Sequence, residues 1–130
     1  MAEEIAKFRF KGYKILKSNI EIKDDSNIDG SLEVEFSQVG GHNVEENEYK
    51  LTLDAHIADK NNEVSISVNA VGLFEFDSNI APEKLNIFFN VNAPAIMFPY
   101  IRAYISTLSA LSGIKPIILP TLNISKREGK

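Results

Sequence analysis

The run APAIMFPYIRAYISTLSALSG, Ala93 to Gly113, contains one charged residue, Arg102. A second apolar run, IILPTLNI, follows at Ile117–Ile124. Charged residues make up 25% of the chain, so a stretch this bare needs shielding by a bilayer, by its own domain or by a partner. Met97, Ile101, Tyr104, Ile105, Leu108 and Leu111 recur at helical spacing, and Gly113 stands where a C-cap belongs. Pro99 suits only the first turn of a helix, which places the expected start of the main helix near Met97. Pro116 and Pro120 then require extended or looped chain.

A membrane span does not fit. Pro99, Arg102, Pro116 and Pro120 interrupt the run, and Ser106, Thr107, Ser109 and Ser112 make it weakly apolar. A helix lying on a sheet should carry Lys and Glu on its outer side. Here that side reads Ala103, Ser106, Thr107, Ser109 and Ala110. Small uncharged residues let another backbone approach closely. We therefore expect the helix to be an oligomer interface, through Ala103, Ser106, Thr107 and Ala110.

Upstream the periodicity switches to two. Phe8 and Phe10 share one parity, Tyr13 and Ile15 the other, so a bulge is expected near Gly12 in a strand running to about Ile22. KDDSNIDG, residues 23–30, is a loop of turn formers. SLEVEFSQV (31–39) alternates Leu32, Val34 and Phe36 against Glu33 and Glu35, a half-buried strand. GGHNVEEN (40–47) reads as a turn, and EYKLTLDAHIA (48–58) as a third strand. DKNNE (59–63) is a hairpin signal, because Asn tolerates positive φ. VSISVNAVGLFEF (64–76) is the fourth strand, with Gly72 marking a bulge or close packing. PEKLNIFFNVN (82–92) suits a short helix with Pro82 in its first turn. The expected fold class is α+β: a four-stranded antiparallel meander and a long helix in the C-terminal half.

At 130 residues the chain is one domain, 1–130. A net charge of −4 argues against nucleic acid or an anionic membrane as partner. There is no cysteine, which excludes disulfides and thiolate metal sites. MAEEIAKFRF opens with acids where a secretory signal has a basic end and an apolar run. A cytoplasmic protein is expected. His42 falls in a polar turn and His56 among alternating apolar positions, with no spacing that makes them a metal pair. Asp24, Asp25, Glu45, Glu46 and Glu48 cluster in loops as solvated charge. No nucleophile elbow, phosphate loop or dinucleotide fingerprint occurs. No enzyme, metal or cofactor is expected.

The block from Leu85 to Ile124 resembles the SecB protein-export chaperones. The resemblance rests on Pro94, Ile96, Met97, Phe98, Pro99, Tyr100, Arg102, Gly113, Leu119, Pro120 and Asn123, with Phe-Pro-Tyr-x-Arg the most specific part. VGLFEF (71–76) is similar to the end of that family's fourth strand. The resemblance implies first strands paired across a dimer and helices packing two dimers into a tetramer. It also implies an ATP-independent holdase, which binds unfolded polypeptides in a groove between sheet, helix and the segment after it. By position, Leu32, Val34, Phe36, Val68, Leu119 and Leu122 would line that groove.

Two departures bear on partners. SecB proteins continue into a second helix and an acidic tail that helps dock the SecA motor; this chain stops in ISKREGK, so a fold truncated after the first helix is expected. The family's acidic docking positions fall on Asn19, Lys23 and Ser67, none acidic here. Docking to SecA in the usual way is not expected. Some SecB-like proteins instead guard an antitoxin beside its toxin, the alternative reading for this chain; a carrier of a small apolar ligand is a third.

Overall fold

A computed structural model describes residues 8–24, 31–43 and 45–120. Four strands, β1 (Phe8–Ile22), β2 (Leu32–Asn43), β3 (Glu48–Asp59) and β4 (Val64–Phe76), form one antiparallel sheet in the order β1-β4-β3-β2. Only β2, β3 and β4 make the expected meander. β1 pairs with β4 rather than β2, so the first two strands lie at opposite edges of the sheet. The pairing follows from composition: β4 is apolar at every inner position and needs a neighbour on both sides, whereas β2 carries Glu33 and Glu35 on its other face and tolerates an edge.

Alternation decides which side chains face inward. Tyr49, Leu51, Leu53, Ala55 and Ile57 of β3 are buried together with Val64, Ile66, Val68, Ala70, Phe74 and Phe76 of β4. β1 keeps its apolar side chains on this face only by changing phase twice. Register shifts fall between Phe10 and Gly12, as expected, and again between Ile15 and Lys17. Phe8 and Phe10, then Tyr13 and Ile15, then Ile20 and Ile22 therefore stand opposite inward residues of β4. Gly12 takes φ +135° at the first bulge, a conformation that a side chain would oppose.

The β3–β4 hairpin turns through Asn62, at φ 59°, as the sequence suggested. Asp59 closes it by accepting the Val64 N–H at 2.9 Å. The stretch Gly40–Asn43 is not part of a turn. β2 continues through it, paired with Glu48–Leu51, because β3 begins early enough to offer a partner. The turn between β2 and β3 instead uses Asn47 at φ 56°.

The short helix begins at Pro82 as expected, whereas the main helix starts at Ala93, earlier than the expected Met97. α1 (Pro82–Ile87) runs through a π-helical turn at Phe88–Asn92 into α2 (Ala93–Leu111). The N–H of Ala93 reaches back five residues to the Phe88 carbonyl, and this wider turn sits where Pro94 has no N–H to give. Pro99 lies inside α2 rather than in its first turn. An interior proline costs about 3 kcal/mol. Met97, Phe98 and Ile101 beside it are buried, at roughly 1.5–3 kcal/mol each, so packing outweighs the lost hydrogen bond. Pro99 and Ala95 are both exposed, which leaves the unpaired carbonyl of Ala95 within reach of solvent.

α2 ends in a Schellman motif. The N–H of Gly113 (φ 99°) bonds to the Ala110 carbonyl and that of Ile114 to the Ser109 carbonyl. The helix lies on the inner face of the sheet. Its approach is close at Gly72, where a β-carbon would run into the sulfur of Met97. Gly72 is therefore a packing glycine, with no register shift in β3–β4 at that point.

Candidate functional site

The two flanks of α2 meet different surroundings. On the β1 side Tyr100 stacks on Tyr13 (4.7 Å between ring centroids) and on Phe10 (5.7 Å). The Tyr104 hydroxyl bonds to that of Ser18 at 2.7 Å. Further toward the helix start, Phe88 stacks on Phe8 at 4.7 Å and Phe89 on Tyr49 at 3.9 Å, nearly parallel. Gly40 makes room for that Tyr49 ring, since a side chain there would occupy the place of the Tyr49 hydroxyl. His42, expected in a turn, packs on Phe89 and Phe76.

On the β2 side Phe98 meets Phe36 edge-on at 5.4 Å. The segment after the helix is tied to this flank by its main chain. Arg102 Nε donates to the Leu119 carbonyl at 2.7 Å, and the Ile117 N–H donates to Ser109 Oγ at 2.9 Å. Ser109 in turn donates back to the Ile105 carbonyl. Ile117 and Leu119 point into the core while Ile118, between them, is 70% exposed. Residues 115–120 thus behave as an extended strap held by helix side chains.

Of the groove residues expected from sequence, Leu32, Val34 and Phe36 share the inner face of β2 and are half-buried against the core. Val68 and Leu119 are buried, at 3% and 1% exposure, within the core cluster rather than on an open wall. Leu122 lies outside the described residues. Sequence reasoning missed Arg102 and Ser109 as ties for the strap, and placed Ser109 on the outer side of the helix. The four-residue series Met97, Ile101, Ile105, Ser109 was the available signal: all four are buried.

The outer side of α2 carries Ala103, Thr107 and Ala110, all exposed, with Ser106 half-buried. Leu111, the last of the residues at helical spacing, is 83% exposed. Because Arg102 is engaged by the strap, no charge remains on the outer surface of this helix.

The other face of the sheet is mostly polar, with Val39 and Leu73 exposed on it. Asn19 stands opposite Ser67, and Ser67 opposite His56, in one cross-strand row that Glu35 extends on β2. His56 Nδ1 and Ser67 Oγ are 2.9 Å apart, and Asn69 bonds to Asp54 in the next row. The Lys23 N–H bonds to the Glu63 carbonyl at the same end of β1. Of the three positions that sequence comparison singled out here, none brings an acid to this face. Among the described residues, no group of three or more His, Asp or Glu side chains is placed to hold a metal ion. None of their helices is long and apolar enough to cross a membrane.

Comparisons with known proteins agree with this architecture. The family model for preprotein translocase subunit SecB matches residues 15–126. An uncharacterized protein of Methanocaldococcus jannaschii is 44% identical over 62 residues, 48% of this chain and 39% of that protein. The protein-export protein SecB of Rickettsia bellii is 27% identical over 99 residues, 74% of this chain and 62% of that protein. The chain thus spans less than two thirds of the length of both relatives. Among solved structures, a SecB-like chaperone of Mycobacterium tuberculosis in complex with a ChAD peptide from the HigA1 antitoxin superposes with a TM-score of 0.75. Its sequence identity is 15%, with 93% of this chain and 91% of that one covered.

Proposed function

This chain belongs to the SecB family, and on that premise we propose that it is an ATP-independent chaperone that holds unfolded polypeptides in the groove beside β2. The observation that carries the reading is the half-buried row Leu32, Val34, Phe36 on an edge strand. A strap whose main chain is tied by Arg102 and Ser109 shares the core cluster with that row. Apolar side chains beside a free strand edge recognise extended chain without demanding one sequence.

The mechanism is mass action: a protein that binds the unfolded state lowers the population that folds or aggregates. Covering about 1,000 Å² of apolar surface at ~25 cal/mol per Å² gives roughly 25 kcal/mol gross. Ordering a disordered client offsets most of it and leaves moderate, sequence-tolerant affinity. No reaction, metal or cofactor is involved in this reading, and its setting is the cytoplasm, in protein export or a related task.

The uncharged outer side of α2 supports assembly through Ala103, Ser106, Thr107 and Ala110, as a dimer or dimer of dimers. The β1 edge, with no strand beyond it among the described residues, suits the other contact of such an assembly. A second reading is a chaperone dedicated to one client, such as an antitoxin. It is favoured by the absence of acids at Asn19, Lys23 and Ser67 and by the antitoxin peptide bound to the Mycobacterium tuberculosis neighbour.

Light scattering from several unrelated denatured proteins, with and without this chain, tests both readings. Suppression of aggregation across clients supports the general holdase. Suppression of a single client supports the dedicated one, and no suppression of any client sinks both.

A further inference from the structure

Gln38 lies on the inner face of β2 between Phe36 and Gly40. Its cross-strand partner is Leu53, flanked on β3 by Leu51 and Ala55, all three buried. Both the oxygen and the nitrogen of its side-chain amide are buried, and neither has a hydrogen-bond partner among the described residues. The nearby space above Gly40 is filled by Tyr49, whose hydroxyl donates to the Phe89 carbonyl at 3.4 Å. An unpaired buried amide is costly, and its persistence in an otherwise apolar wall calls for a partner. A leucine or methionine would fill this position at no such cost.

We propose that Gln38 is the polar anchor of the groove, pairing with the main chain of a bound polypeptide. A carboxamide presents one acceptor and one donor side by side, which matches the N–H and C=O of a peptide unit in extended chain. The residue keeps partial exposure and sits on a strand that, among the described residues, has no neighbour beyond it. Rotation about its side-chain torsions carries the amide to that open edge. Because it addresses main chain alone, Gln38 fixes the client in place without selecting its side chains. Its position two residues from Phe36 puts it next to the apolar row, so one client residue is gripped by main chain while its neighbours bury side chains.

The inference rests on the client-groove reading and is tested separately from it. The probe is reduced, carboxymethylated lactalbumin, a permanently unfolded chain. Gln38→Met should melt about 2–5 °C higher, because the unpaired amide is gone. It should also bind the probe about three- to tenfold more weakly than the parent, with unchanged size in solution. Gln38→Leu provides a second variant should the first misfold. With the unaltered protein, an apolar test peptide should lose a similar factor in affinity when its amides are N-methylated.

Unchanged affinity in both variants overturns the proposal. So does an unchanged melting temperature, which would mean that a buried water already satisfies the amide, and so does a changed assembly, which would assign Gln38 to a subunit contact. If the parent protein does not bind the probe at all, the general holdase reading fails, and the anchor, which addresses main chain of any sequence, falls with it.

Discussion

Arg102 Nε donates a 2.7 Å hydrogen bond to the carbonyl oxygen of Leu119, so the one charge of a long helix holds the main chain that follows it. The bond explains both why the helix surface is bare of charge and why the chain beyond it lies flat on the core. Arg102→Ala should destabilise the fold by about 1–3 kcal/mol, read from urea unfolding. Arg102→Lys should recover little, since an ammonium on a different stem does not reproduce the guanidinium geometry. Equal stability of parent and alanine variant would show that the strap holds itself.

Ser109 makes the second tie, two residues nearer the helix along the strap. Ser109→Ala leaves the Ile117 N–H buried without an acceptor. A loss of about 1–3 kcal/mol is expected. Hydrogen exchange should then quicken at Ile117 while the amides of β3 and β4 stay protected. Uniform loss of protection would mean that the strap and sheet open as one unit.

The contact of Gly72 with Met97 predicts a steric response. Gly72→Ala should cost about 1–3 kcal/mol by overpacking. Combined with Met97→Ala, the two losses should fall short of their sum, because the shortened side chain vacates the space that the new methyl group needs. Strict additivity in the four-variant cycle would remove this contact as the cause.

Ala110 tests the proposed helical interface. Ala110→Glu places a charge on the exposed uncharged side of α2 and should leave the monomer fold intact by circular dichroism. Burying an unpaired charge between subunits costs about 3–5 kcal/mol, enough to weaken association at least a hundredfold. Sedimentation should show smaller species at micromolar concentration. An unchanged sedimentation profile would place the interface elsewhere.

Asp59 gives the hairpin a pH dependence. The Val64 N–H, first among several backbone donors around the carboxylate, holds its pKa below the ordinary 3.8. The folded state therefore favours the ionised form. The stabilisation is complete above the unfolded value near 3.8 and disappears as pH falls through the lower folded value. Asp59→Asn retains an oxygen acceptor but no titration. Its melting temperature, compared with that of the parent, should converge on the parent's as pH drops below about 4. A gap that stays constant from neutral pH into acid would contradict the assignment.

The alternation in residues 31–39, 48–58 and 64–76 and the helical spacing in residues 93–111 were legible without a structure, because periods of two and 3.6 are imposed by backbone geometry itself. So were the bulge at Gly12, the positive φ of Asn62 and the C-cap at Gly113, each a local demand on one residue. Strand order was not legible: pairing β1 with β4 depends on which edges remain free once β2, β3 and β4 have formed. The interior Pro99 was misleading for a related reason, since local cost is visible in sequence and the burial of Met97, Phe98 and Ile101 that outweighs it is not.

The candidate site divides in the same way. Leu32, Val34 and Phe36 could be named in advance as one face of a strand, and the near absence of charge along the helix could be read directly. That Val68 and Leu119 are fully buried, that Ser109 and Arg102 hold the strap and that the Gln38 amide has no partner among the described residues were decided only when helix, sheet and trailing segment came together. Periodicity orders neighbours along one element, whereas hydrogen-bond partners 17 residues apart, as Arg102 and Leu119 are, depend on how separate elements stack.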